Sequence, residues 1–134
     1  MRREGFPGLA AEAVARFGQF RIQARGNSMR PLIPDGTVVT VRPALREIHP
    51  GDIVAIDLGA HLVVHRVLSN RDGWIQTAGD SNRKADPKRP VADVIGVVSH
   101  VQLPNGWFQR VDSTSSRFLG RLIVCVQRRR LSVV

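Results

Sequence analysis

A mainly β single domain is what this chain of 134 residues predicts, and two patterns carry the expectation. Short segments with β-branched or alternating apolar residues recur from Phe20 to Leu103. Between them lie strong turn formers: Pro34-Asp35-Gly36, Pro50-Gly51-Asp52, Asp72-Gly73, Gly79-Asp80 and Pro104-Asn105-Gly106. The apolar fraction of 43% and the charged fraction of 23% are ordinary for a chain that encloses its own core.

Taken in order, residues 8–18 place Leu9, Ala13 and Phe17 four apart, which predicts a short amphipathic helix with that stripe inward. FRIQA (20–24) alternates with period two, and TVVTV (37–41) is β-branched throughout. DIVAIDL (52–58), HLVVHRVL (61–68), WIQTA (74–78) and VIGVVSHVQL (94–103) complete the strands. Asp72-Gly73 has the composition of a two-residue hairpin turn. NRKADPKRP (82–90) reads as a surface loop. The segment 115–131 changes period: Phe118, Leu119, Leu122, Ile123 and Val126 share one helical face, away from Arg117, Arg121 and Arg128, with N-cap candidates in Ser113 to Ser116. Three stretches follow: an N-terminal helical extension (1–19), a β-rich domain (20–111), and a basic amphipathic helix and tail (112–134).

Several function classes fall away early. No stretch approaches the ~18 uncharged apolar residues of a membrane span, so no membrane anchor is expected. The basic start of the chain imitates a secretory signal, but Glu12 and Arg16 interrupt its apolar stretch. Cys125, the one cysteine, rules out an internal disulfide framework, and its place in LIVCV suggests a small buried residue. The formal charge of +9 favours anionic partners. With no Tyr and few, scattered Phe and Trp, stacking platforms for single strands are scarce, so no specific nucleic-acid partner is expected. The C-terminal helix either packs on the sheet or a partner, or lies on an acidic membrane surface.

Four patches carry the chemistry: GNSMRPLIPDG (26–36), HPGDIV (49–54), VVHRV (63–67) and GDSNRKAD (79–86). A Gly-flanked serine in a loop, a histidine within a strand, and a loop with two aspartates are compatible with a nucleophile, its base and an orienting carboxylate. Either Asp80 or Asp86 has the chemistry to orient His65. His61 and His65 form H-x-x-x-H, but four strand residues span roughly 13 Å, too far for one metal.

In order and spacing, these patches resemble the boxes of the type I signal peptidase and self-cleaving repressor superfamily of serine peptidases. GNSMRPLIPDG is similar to its nucleophile box, PGDIV to the following strand entry, VVHRV to the general-base box and GDSNRKAD to the closing box. Histidine at the base position makes the archaeal and endoplasmic-reticulum signal peptidases the nearer likeness, since the bacterial enzymes carry lysine there. The resemblance covers about residues 20–102 and implies a coiled β-sheet catalytic core. It implies Ser28 as nucleophile, His65 as base and Asp86, seven positions after Gly79, as the partner of His65. Asp80 takes a supporting role, with Met29 beside the nucleophile. Gly26 offers no side-chain hydroxyl, leaving the Ser28 N–H, helped by Asn27, to hold an oxyanion. No cofactor or metal is implied, and the expected partner is a peptide or precursor-protein substrate bound as an added strand. Self-cleavage is not expected, because no Ala-Gly or Cys-Gly bond precedes Ser28. The readings set beside a peptidase are a catalytically silent peptide-binding member of the fold and a basic nucleic-acid or membrane-surface module.

Overall fold

The computed structural model describes residues 5–131. Helix α1 (Gly5–Phe17) leads into strands β1 (Phe20–Gln23), β2 (Val38–Arg42), β3 (Ile53–Asp57), β4 (Leu62–Arg71) and β5 (Trp74–Ala78). Then come β6 (Arg89–Pro90), a turn of 3₁₀ helix (Val91–Asp93), β7 (Val94–Gln102), β8 (Phe108–Arg110) and α2 (Thr114–Arg130). The strands form one antiparallel sheet in the order β1-β2-β7-β3-β4-β5-β6, with β8 pairing with β7. Register shifts at Thr40/Val41, Ala55/Ile56 and Val67/Ser69 bend the ladders and curl the sheet. The fold is mainly β, as the alternating segments predict.

Strand β3 shows how the core divides. Ile53 and Ala55 enter one cluster with Val39, Val41, Val98 and Val101, while Val54 and Ile56 enter another with Val67 and Ile75. Successive side chains of a strand point to opposite faces, so a strand apolar at every position is buried on both. Met29 and Ile33 belong to the first cluster, which ties the Ser28 loop to the core by side chains on either side of its turn. At the β4–β5 connection, Asp72 (φ 54°) and Gly73 (φ 80°) form the two-residue hairpin turn that their composition suggests.

Six details correct the sequence reading. Strand β4 runs on to Arg71, the loop 82–90 ends in the two-residue β6, and β8 lies in a stretch of the β-rich domain to which no strand was assigned. In α1 Gly8, Ala10 and Val14 are buried, while Leu9 and Phe17 stand 63% and 74% exposed. The small side chain of Ala10 lets the helix approach, which the bulkier stripe does not. In α2, Leu119, Leu122 and Val126 are exposed, and Gly120, Val124 and Gln127 are buried. Cys125 is exposed as well. LIVCV is helical here, and a 100° step from buried Val124 carries Cys125 outward. The side chains of Arg117 and Phe118 lie outside the described residues.

Backbone fit selects that face of α2. A Cβ on Gly120 would stand 2.5 Å from the Gly51 carbonyl oxygen and 3.0 Å from Arg66 Nη1. Gln127 Nε2 donates to the Gly79 carbonyl (2.9 Å) and Arg128 to that of Leu68. Gly120→Ala is therefore expected to lift α2, costing about 1–3 kcal/mol and lowering Tm by several degrees in a thermal melt. An unchanged Tm would contradict this close packing.

Candidate active site

Two buried neighbours on β4 organise the site. His65 and Arg66 are 8% and 2% exposed and project to opposite sides of the strand. His65 Nδ1 lies 2.6 Å from Asp86 Oδ2, and His65 Nε2 lies 3.2 Å from Ser28 Oγ. Thr77 Oγ1 donates to the same Asp86 oxygen at 2.7 Å. A carboxylate oxygen accepts both bonds when the ring proton sits on Nδ1, which leaves Nε2 free to accept from the serine hydroxyl. The Asp86 N–H donates to the Thr77 carbonyl (2.8 Å) and Gln76 Nε2 to the Asp86 carbonyl (3.2 Å). Strand β5 thus fixes the aspartate at both backbone and side chain.

Arg66 serves the other side. Its Nε and Nη2 donate to the two carboxylate oxygens of Asp80, each at 2.8 Å, and its Nη1 donates to the Gly51 carbonyl (2.9 Å). Both side chains of this ion pair are nearly inaccessible, at 3% and 6%. A forked pair of this kind sets position as well as charge. It places the turn 79–82 against the serine: the Ser81 N–H donates to the Ser28 carbonyl (2.8 Å), and the Asp80 N–H meets Met29 Sδ at 3.4 Å. A Cβ on Gly79 would stand 2.6 Å from the Ser28 carbonyl oxygen, so only glycine admits this approach. On the far side, the Gly26 N–H donates to Asp35 Oδ1 (2.7 Å) and the Arg30 N–H to the Asn27 carbonyl (3.2 Å), closing the Ser28 turn.

Ser28 and His65 stand at one end of an open groove of about 470 Å³. One wall is the stretch from Ile22 to Gly26 and the other runs from Ala60 to Val64. Among the described residues strand β1 pairs with β2 alone, and β5 reaches no further along β4 than Arg66 opposite Ala78. Both walls therefore present an unpaired strand edge to the groove.

The structure brings together Ser28, His65 and Asp86 from three of the four patches, and it sets Asp80 apart from the histidine on Arg66. Asn27 is exposed at the turn, Gly26 lies in a left-handed conformation (φ 87°), and Met29 is buried beneath. Sequence reasoning missed Thr77, Arg66 and Gln127. For Arg66 a signal was present: a charge next to His65 within an apolar strand needs a buried counter-charge, and Asp80 was at hand.

A family model described as Peptidase S24-like matches residues 9–98, a span that holds all four patches. No curated protein and no solved structure matches the chain.

Proposed function

The chain belongs to the Peptidase S24-like family, and from that premise we propose that it is a serine endopeptidase of signal-peptidase type that cuts a precursor or leader peptide. One observation carries the reading: the unbroken relay Ser28 Oγ–His65 Nε2–His65 Nδ1–Asp86 Oδ2 at the end of a groove whose two walls each present a free strand edge.

The substrate enters as an extended strand whose backbone bonds to the free edges. Ser28 attacks the carbonyl carbon while His65 accepts the hydroxyl proton, then returns it to the departing amine. Asp86 holds the ring in the tautomer that leaves Nε2 as acceptor and stabilises the imidazolium. Thr77 is a positioning residue acting through Asp86. The Ser28 N–H donates to no protein acceptor among the described residues and faces the forming oxyanion. Water then releases the acyl group by the same proton path in reverse.

The test is a diverse peptide library incubated with the wild-type chain and with His65→Ala, read by mass spectrometry. Discrete cuts by the wild type that vanish in the variant are expected; identical cuts from both would end the reading. Asp86→Asn should lower kcat by roughly 10³–10⁴-fold with a smaller change in KM, because an amide presents an N–H to the ring and favours the wrong tautomer. A loss under tenfold would leave Asp86 outside the relay.

A further inference from the structure

Helix α2 has two working sides, and the outward one has no partner among the described residues. Leu119, Leu122 and Val126 stand 54%, 48% and 58% exposed along one arc of the helix. Arg129 and Arg130 are exposed on either side of it. After Asp112 the sequence carries five arginines and no acidic side chain. A helix that turns its apolar arc away from its own core and rims it with arginine has the form of an interfacial helix. No helix among the described residues is long and apolar enough to cross a membrane, so spanning does not account for the arc.

We propose that α2 seats the protein on an anionic lipid surface, with Leu119, Leu122 and Val126 entering the headgroup–acyl boundary and Arg129 and Arg130 meeting lipid phosphates. Charge complementarity selects this occupant, since every ionised side chain of the helix is cationic. The size of the arc selects it too. A stable protein interface takes ~800 Å² from each partner, and among the described residues three aliphatic side chains in single file fall short. A bilayer needs only an apolar strip with cations beside it.

The inward side of α2 gives the seat a consequence. Gln127 holds the Gly79 carbonyl, and Gly79 lies against the Ser28 backbone. The turn beside the serine is thereby kept about one helix diameter, roughly 10 Å, from the lipid. This part rests on the peptidase reading and directs the enzyme to peptides lying at a membrane surface. Lipid binding itself does not rest on it.

Sedimentation of the full chain with phosphatidylglycerol–phosphatidylcholine vesicles, against phosphatidylcholine alone, tests the seat at low and high salt. Binding to the anionic vesicles that weakens with salt is expected. Arg129→Glu with Arg130→Glu should lower the partition coefficient by roughly fivefold or more per arginine. Leu122→Glu with Val126→Glu should abolish binding while the thermal melt stays that of the wild type. A polarity-sensitive dye on Cys125, the one cysteine, should shift to the blue with anionic vesicles only. Equal binding by all variants, no anionic preference, or lipid-free dimerisation lost in the Leu122/Val126 variant would each overturn the proposal. The last outcome would assign the arc to a second copy of the chain.

Discussion

Ser28→Ala is expected to lower kcat by roughly 10⁴–10⁶-fold while KM and the melting temperature stay close to those of the wild type. The size follows from unit action: with the nucleophile gone, His65 has no hydroxyl proton to accept and Asp86 no imidazolium to stabilise, and only substrate alignment and oxyanion stabilisation remain. Stability is spared because among the described residues the Ser28 side chain bonds only to His65 Nε2, whereas its carbonyl, which accepts from the Ser81 N–H, survives the change. Steady-state cleavage of any peptide cut by the wild type, with thermal melts of both proteins, measures this. A residual rate within tenfold of the wild type would mean that another group attacks the bond.

The largest expected change in stability is that of Arg66→Ala. It leaves the Asp80 carboxylate, 6% exposed, without its counter-charge and strips the Gly51 carbonyl of a donor. Breaking one side of a buried pair costs about 3–5 kcal/mol, a large share of the roughly 5–15 kcal/mol that holds a domain folded. The urea midpoint should fall sharply. Arg66→Met combined with Asp80→Leu should recover much of the loss, since no charge is then stranded. Cleavage should stay impaired in the double variant, because the turn 79–82 has lost the fork that presses it to Ser28. A single variant as stable as the wild type would mean that water reaches this pair freely.

Much of the sheet was legible because β-branched alternation and Gly- or Pro-bearing turns act locally, as at β3 and Asp72-Gly73. What escaped had no such signal. Strand β8 is exposed at all three residues and depends on β7 for its bonds, while β6 is two residues long and includes a proline. The helices were legible as helices, but their buried faces were not. Periodicity finds the widest apolar stripe. The sheet instead selected the residues that fit closest: Ala10 and Val14 in α1, Gly120, Val124 and Gln127 in α2. The outward stripe of α2 is accordingly a feature of the surface.

At the site, Ser28, His65 and Asp86 were singled out through the order of four short patches, and His65 stands within hydrogen-bond reach of the other two. Thr77 was not readable, because a threonine ending a strand looks like any other β former. Arg66 was overshadowed by the histidine beside it. The pairing of Arg66 with Asp80, 14 residues on, is announced by no periodicity, only by the need of a charge within an apolar strand for a counter-charge.

Acylation of Ser28 tests the central claim most directly. The wild-type chain, Ser28→Ala and His65→Ala would each be mixed with p-nitrophenyl esters of short peptide acids, quenched in acid and weighed intact, with the modified residue mapped by fragmentation. A relay of Ser28, His65 and Asp86 predicts one acyl group on Ser28 in the wild type, formed with a burst of nitrophenol, absent from Ser28→Ala and strongly slowed in His65→Ala. No acyl group on the wild type, an acyl group elsewhere, or equal acylation with and without His65 would contradict it.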